Sequence, residues 1–468
     1  MRVFNSLGRE SQVFTPREDG RVTMYVCGPT VQSAPHVGHG RSAVAFDVIR
    51  RYLQWRGLLV TYVVNVTDVE DKIIAAAQDE GVTAEEIATR TAEQFRTAYR
   101  ALNVLPPDIE PKATEHIPEM IQLIEDLIAR GHAYPTGAGD VYFSVRSFRE
   151  YGRLSGRKID DLISGARIEP GEAKQDPLDF ALWKAAKPGE PHWDSPWGSG
   201  RPGWHIECSA MARKYLGHGF DIHGGGTDLV FPHHENEVAQ AEAAYGPPFA
   251  RYWLHNGMVN LGGEKMAKST GLVVGLLGAL EKYPPSAIRL FYLRTHYRRP
   301  VDFTDEAMDD AVAALERLWA FRRRAPARPE DVAAPGVMDR FQEFMDDDFD
   351  TAGALSVLFE AVREGNTRLD AGEAVDSLAA AYDDIVGVLG LEEPAVVLDD
   401  LVEGLSGLAA RFQIEPSNDP ATTVERLVDE RTRARAEKDW ARSDEIRDGL
   451  AGLGIHVEDA VGGTRWHR

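Results

Sequence analysis

The order of apolar and polar positions changes character along the chain. From Arg21 to Val26, β-branched and aromatic residues predict a strand, and Gly28-Pro29 predicts the turn that ends it. A helical period follows from about Gly40 to Trp55, then a second strand at Leu59–Val64. An acidic, alanine-rich stretch from about Lys72 to Ala101 reads as one long helix. Strand, helix and strand at crossover spacing predict a parallel sheet. Pro106-Pro107 and Pro111 interrupt this pattern, and residues 116–202 read as an insertion. It holds a helix (Ile117–Arg130), a strand (Asp140–Val145) and a loop rich in Pro, Gly and Trp (Lys187–Gly203). The α/β character resumes from Trp204 to about Leu293. From Asp305 to Phe412 the helical period is continuous apart from loops at Arg322–Pro329 and Glu392-Glu393-Pro394, which predicts a helix bundle. The polar run Pro416-Ser417-Asn418-Asp419-Pro420 then separates a small C-terminal unit, opening with a charged helix at Val424–Lys438.

Composition narrows the classes. At 468 residues, about three domains are expected. Hydrophobic content of 43% with 9% aromatics excludes a chain disordered throughout. No apolar run reaches about 18 residues, and Met1-Arg2-Val3-Phe4-Asn5-Ser6-Leu7 lacks the apolar core of a secretory leader. The expectation is a cytoplasmic protein without membrane contact, read as a monomer. The net charge of −22 argues against a basic nucleic-acid coat but leaves room for a local basic surface. Only Cys27 and Cys208 are present, so a disulfide framework is excluded. Two inert buried thiols are the plain alternative.

Three motifs carry candidate chemistry. Pro35-His36-Val37-Gly38-His39-Gly40 places two imidazoles three apart at a predicted helix N-terminus, where free N–H groups and the helix dipole suit phosphate. Small Gly38 lets a flat purine approach the backbone. Gly263-Glu264-Lys265-Met266-Ala267-Lys268-Ser269 places two lysines three apart in a glycine-flanked loop, suited to a triphosphate and its leaving pyrophosphate. Each motif alone is common. In this order they resemble the HIGH and KMSKS elements of class I aminoacyl-tRNA synthetases. The third constellation joins Gly203-Trp204-His205-Ile206-Glu207-Cys208, Phe220-Asp221-Ile222-His223-Gly224-Gly225-Gly226-Thr227-Asp228 and Phe231-Pro232-His233-His234-Glu235-Asn236-Glu237. With a helix starting near Pro232, His233 and Glu237 share one face as metal ligands require. Cys27 and Cys208 complete a zinc set. His234, three residues before Glu237, is a rival ligand that spacing alone does not exclude.

Together these residues resemble the cysteinyl-tRNA synthetase family, from Tyr25-Val26-Cys27-Gly28-Pro29-Thr30-Val31 to Gly463-Thr464-Arg465-Trp466. The resemblance implies a Rossmann-like catalytic domain (1–115 and 203–300), an inserted connective domain (116–202), a tRNA-binding helix bundle (301–415) and a small anticodon-binding domain (421–468). It implies ATP-dependent activation of L-cysteine and transfer to cysteine tRNA, with Mg²⁺ accompanying ATP. One zinc per chain would sit on Cys27, Cys208, His233 and Glu237, which favours His233 over His234. His36, Gly38, His39, Lys265 and Lys268 would hold ATP. Gly28, Thr67, Trp204, His223 and Asp228 would form the amino-acid pocket.

The second motif departs from the family pattern in Ala267 for serine and in Thr270-Gly271-Leu272 where Leu-Gly-Asn is frequent; both lysines are kept. Val37 replaces isoleucine. In the C-terminal unit, Arg426, Arg431, Arg433, Arg435, Lys438, Arg442 and Arg447 read as a solvated helix from charge alone. With Arg465 and Trp466 beside them, the resemblance implies tRNA contacts by stacking and phosphate pairing. Two alternatives share these features. A cysteine ligase acting on glucosaminyl-inositol would share the catalytic half but end sooner. A non-catalytic zinc-dependent tRNA-binding protein would not need His36, His39, Lys265 and Lys268.

Overall fold

The computed structural model describes residues 1–159, 173–262, 264–265, 273–325, 332–394, 398–460 and 463–467. Two compact units divide the chain, Met1–Glu392 and Glu393–Arg468.

A four-stranded parallel sheet organises the first unit. Its strands are β1 (Arg21–Val26), β2 (Leu59–Val64), β3 (Phe220–Gly226) and β4 (Ala250–Asn256), in the spatial order β4-β3-β1-β2. β1 pairs in parallel with both β2 and β3, through Met24↔Tyr62 and Met24↔Ile222 among others. The chain therefore leaves β1 toward one side first and returns on the other. In open α/β sheets, ligands bind where this order reverses, outside the carboxyl ends of the strands. Cys27, Asn65, Gly226 and Gly257 all lie at those ends.

Val37–Trp55 forms a helix whose apolar face, including Val44, Val48, Tyr52 and Leu53, is buried. The long helix expected from Lys72 to Ala101 is instead two helices, Asp71–Glu80 and Ala84–Ala101. Gly81 ends the first in the left-handed region at φ 70, a conformation that glycine adopts without a Cβ penalty. Thr83 starts the second: its hydroxyl accepts from Glu86 N at 3.1 Å, and the Glu86 carboxylate accepts from Thr83 N at 2.8 Å.

The insertion contains the helix Ile117–Ala129 and an antiparallel sheet of Ala133–Pro135, Val141–Phe143, Phe180–Ala185 and Gly200–Pro202. Gly200–Pro202, inside the segment that the sequence pattern predicts as loop, forms a strand. It pairs with Trp183–Ala185 because Gly200 lets the strands close over Trp183, whose Nε1 would lie 2.3 Å from an added Cβ.

Four helices, Asp305–Arg324, Pro335–Asp346, Thr351–Asp370 and Asp376–Leu389, share one apolar core with the Val37–Trp55 helix. The second unit holds the helices Val402–Arg411, Pro420–Ala436 and Trp440–Gly452 and a hairpin of His456–Ala460 with Gly463–His467. The Val402–Arg411 helix continues the bundle in the sequence pattern, yet Leu405, Leu408 and Phe412 pack with Val424, Leu427 and Ile446 of this second unit. The charged helix starts earlier than its pattern suggests, at Pro420, because Asp419 caps it by accepting from Ala421 N and Thr422 N. Among the described residues, no helix is long and apolar enough to cross a membrane.

Candidate active site

β1 delivers Cys27 to the sheet edge, where its N–H donates to Gly224 O of β3 at 3.0 Å. The Cys27 Sγ lies 3.3 Å from Glu237 Oε1 and 3.5 Å from His223 Nε2. Cys208 sits in the helix Trp204–Leu216, fully buried. The regular helix carrying Glu237 runs from Glu235 to Tyr245, starting later than Pro232. Val230–His234 form a wider turn kinked at Phe231, where φ is −141 and ψ is 130. The expected pair still forms: His233 Nε2 lies 3.2 Å from Glu237 Oε1.

The ligating atoms of Cys27, Cys208, His233 and Glu237 all lie within 4.8 Å of one another. A second set, Cys27, His223, His234 and Glu237, meets the same limit. The two sets share a thiol and a carboxylate. They differ in what holds the imidazoles. His233 stacks on Trp204 with ring centroids 4.3 Å apart, and its Nδ1 meets His205 Nδ1 at 3.0 Å. His234 Nδ1 meets His255 Nε2 at 2.8 Å, and His255 Nδ1 continues to Ser6 Oγ at 2.7 Å.

Electrostatics favour a cation here. Burial pushes both thiols above their ordinary range, Cys27 further through Cys208 and Glu237. Burial holds His233 and His234 far below the usual imidazole range, so both are neutral. Two thiols, a buried carboxylate and neutral imidazoles in one pocket form a donor set compatible with a divalent metal.

The amino-acid pocket expected from the sequence divides into a lining and a layer behind it. Cys27, Gly28, Trp204 and Asp228 line a cleft of about 920 Å³ that also holds His36, Gly38 and His39. Thr67 and His223 are buried behind it. Gly28 is required sterically: a Cβ there would lie 1.6 Å from Asn65 O. The motifs left out Asn65, which joins these parts. Its Oδ1 accepts from Gly28 N at 2.9 Å and lies 3.6 Å from Cys208 Sγ, while its Nδ2 donates to Thr67 Oγ1 at 3.2 Å. Thr67 in turn donates to the buried carboxyl of Glu207 at 3.0 Å. Asn65 directly follows β2, the one signal that could have found it. His205 stands inside a quoted motif, but nothing in its spacing marks it as the support of His233.

The two imidazoles of the first motif stack at the start of the Val37–Trp55 helix, with centroids 3.6 Å apart. His36 N donates to His39 Nδ1 at 3.1 Å. A neutral His39 therefore carries its proton on Nε2 as a donor. The first turn of this helix contains no acidic residue, so no side-chain charge offsets its positive dipole end. Lys265 lies on the strand Glu264–Lys265, its backbone paired with Asn260 of Val259–Leu261. Lys268 lies outside the described residues. The chain beyond it returns to the first motif: Val37 N donates to Val274 O at 3.1 Å, and Leu276 N to Pro35 O at 2.8 Å. Of the proposed tRNA contacts, Trp466 pairs with Val457 and is half-buried against the C-terminal core, and Arg465 pairs with Glu458.

Comparison with known proteins gives the same picture. Residues 13–313 match the family model of the tRNA synthetases class I (C) catalytic domain. Residues 340–393 match the DALR domain, and 418–466 the cysteinyl-tRNA ligase anticodon binding domain. The cysteine–tRNA ligase of Nitratidesulfovibrio vulgaris (Hildenborough) is 50% identical over 100% of this chain and 99% of its own length. That of Pseudomonas paraeruginosa is 49% identical at the same coverage. Among solved structures, Mycobacterium tuberculosis methionyl-tRNA synthetase with methionyl-adenylate superposes with a TM-score of 0.57 at 16% identity, over 79% of this chain and 90% of that one. The Agrobacterium radiobacter K84 LeuRS in complex with tRNA and LeuAMS gives 0.58 at 11% identity, over 81% and 84%. These two likenesses establish the fold, and the end-to-end identity establishes the lineage: the chain belongs to the cysteine–tRNA ligase family of class I aminoacyl-tRNA synthetases.

Proposed function

We propose that this chain activates L-cysteine with ATP, releasing pyrophosphate, and passes the cysteinyl group to the terminal ribose of a cysteine tRNA. The observation that carries this reading is the meeting of a buried thiol–imidazole–carboxylate cluster with a two-imidazole helix N-terminus along one cleft.

Zinc fits the cluster. Cys27, Cys208, His233 and Glu237 would hold it, since their donor atoms converge and Glu237 Oε2 has no hydrogen-bond partner among the described residues. When bound, zinc supplies a site that prefers a thiolate to the hydroxyl of serine. A preference of 10⁴ corresponds to about 5.5 kcal/mol, which one methylene in an apolar pocket does not supply. Cys27 lines the cleft while the other three donors are buried beneath it, so a substrate thiol arrives from the Cys27 side. Of these four donors, the Glu237 carboxylate would bind zinc least strongly.

Adenylation needs no protein nucleophile, only alignment of the amino-acid carboxylate with the α-phosphorus and stabilisation of the charge that develops. His39 offers an Nε2–H donor, and Gly38 N is the first-turn N–H not already turned to a carbonyl among the described residues. Lys265 and Lys268 would neutralise the leaving pyrophosphate, with Mg²⁺ entering bound to ATP. Trp204 and Asp228 stand at the cleft wall to orient the amino acid. The glucosaminyl-inositol alternative loses its ground, because the relatives match end to end, including the anticodon-binding segment.

The test is cysteine-dependent ATP–pyrophosphate exchange by the full chain, followed by charging of cysteine tRNA. Lys268→Ala should depress exchange by orders of magnitude at unchanged zinc content, and Ala267→Ser should be near neutral. An unaltered chain that shows no cysteine-dependent exchange overturns the proposal.

A further inference from the structure

Arg41 lies two residues beyond His39 on the Val37–Trp55 helix and is 1% exposed. Among the described residues, its hydrogen bonds all go to main-chain carbonyls rather than to a carboxylate. Nε donates to Gly257 O at 3.2 Å and Nη1 to Tyr292 O at 3.2 Å. Nη2 reaches Arg299 O at 2.6 Å, His296 O at 3.3 Å and Tyr297 O at 3.5 Å. Burial lowers its pKa to about 10, so it remains a cation at neutral pH.

Gly257 leads into the strand before the second motif, and the other carbonyls lie just before Val301–Asp302, which pairs with that strand. Gly257 follows β4 and lines the cleft, and Gly257 O also accepts from Asn256 Nδ2 at 3.1 Å. Gly257 N donates to Tyr297 O at 2.7 Å, and Val301 N to Met258 O at 3.0 Å. Val259–Leu261 then pairs with Val301–Asp302 on one side and with the strand bearing Lys265 on the other. A Cβ on Gly257 would lie 2.3 Å from Arg299 O, so the carbonyls close tightly around the guanidinium. A planar fork with five N–H donors can bridge this many acceptors; an ammonium cannot. Tyr292 adds a second tie, its hydroxyl donating to Val37 O at 2.7 Å.

We infer that Arg41 is a positioning residue that fixes the His36–His39 helix N-terminus against the base of the Lys265 hairpin, so that both motifs meet one ATP. This rests on the adenylation reading. Among the described residues, Arg41 makes no hydrogen bond to Gly28, Thr67, Trp204, His223, Asp228 or the thiol cluster, so its effect should fall on nucleotide geometry.

The experiment is exchange kinetics on zinc-loaded Arg41→Gln and Arg41→Lys, with ATP and cysteine varied separately, alongside zinc content and thermal unfolding. Misplacement of about 1 Å costs about 100-fold in favourable cases, so a loss of about tenfold or more in kcat/KM for ATP is expected. KM for cysteine and zinc content should stay near the unaltered values, and Arg41→Lys should recover only part of the loss. A purely structural role would lower the active fraction and leave both KM values unchanged. That result, an equal change in both KM values, or unaltered kinetics would overturn the inference. Should neither variant fold, Tyr292→Phe removes the parallel tie and must move KM for ATP the same way, to a smaller extent; no movement then overturns it. An inactive unaltered chain would instead strike the adenylation reading.

Discussion

His234 Nδ1 and His255 Nε2 share a hydrogen bond of 2.8 Å, which commits one nitrogen of His234 to the sheet. His233 uses its Nδ1 toward His205 and aims Nε2 at Glu237 from 3.2 Å, against 3.9 Å for His234 Nε2. Both imidazoles are braced, but only His233 belongs to the set with both thiols.

The difference is measurable as metal content. His233→Ala should lose most of the bound zinc, as should Cys208→Ser. His234→Ala should weaken retention by about 10- to 100-fold at most, the range for a supporting residue. Zinc content by atomic absorption after dialysis against a chelator series checks this. Greater loss in His234→Ala than in His233→Ala would transfer the ligand role to the set containing His223 and His234.

Acid should destabilise the metal-free chain through its buried neutral imidazoles. Burial lowers His255 to about 3, below the ordinary value of 6.5. Between those limits the unfolded chain binds a proton that the folded chain does not, so stability falls as pH drops below about 6.5 and keeps falling toward about 3. Each such group contributes up to about 1.4 kcal/mol per pH unit in that window. His205, also lowered to about 3 by burial, acts in the same direction. His255→Gln removes one titrating site, so its stability–pH slope between 6.5 and 4.5 should be shallower. Chemical unfolding at several pH values reads this directly, and parallel slopes for both proteins would refute it.

Strands β1 and β2, the two glycine-flanked motifs and the thiol pair were legible because each depends on local pattern or rare residues, whereas β3 and β4 were legible only as a return of α/β character. Strand β1 announces itself by β-branching, and two cysteines in 468 residues attract notice wherever they fall. What sequence could not show is what depends on distant partners. Asn65 is an ordinary asparagine until β2 places it between Gly28, Thr67 and Cys208. The break at Gly81 was hidden because the pattern on both sides is helical, and only the left-handed glycine and the Thr83 cap end one helix and begin another. The Val402–Arg411 helix has the same period as the bundle, and nothing local reveals that its apolar face belongs to Val424 and Leu427.

Asp47 and Arg289 form a buried ion pair, 1% and 0% exposed, at 2.5 Å. Asp47 also accepts from Arg51 Nε and Leu105 N, and Arg289 also donates to Leu389 O and Leu102 O. The pair thus ties the helix behind the first motif to the end of the helical region. Asp47→Ala leaves a buried guanidinium without its counter-charge, which costs about 3–5 kcal/mol. A denaturant midpoint within error of the unaltered chain would show that the pair is dispensable.

Among the described residues of the C-terminal unit, Trp440 is the exposed large aromatic, a second candidate for base stacking beside Trp466. Trp440 is 57% exposed at the start of its helix, whereas Trp466 is half-buried against the core of its own unit. Several nearby arginines are already engaged: Arg431 and Arg435 with Asp459, Arg442 and Arg433 with Glu430. Stacking of an unpaired base on Trp440 is therefore the contact most open to a tRNA. Trp440→Ala should lower kcat/KM for tRNA charging by about 1–3 kcal/mol, or about 5- to 150-fold, and leave cysteine-dependent pyrophosphate exchange intact. Trp466→Ala should instead lower the melting temperature. Because Leu405, Leu408 and Phe412 share a core with Val424 and Ile446, a clean truncation must begin near Glu393 rather than Pro420. That truncated chain should still activate cysteine, since every proposed zinc and ATP residue precedes Glu393. Charging by the full chain should weaken as salt rises despite the net charge of −22, because the contacts are local phosphate pairs. Equal charging by the Trp440→Ala protein and the unaltered chain would remove this face from tRNA recognition.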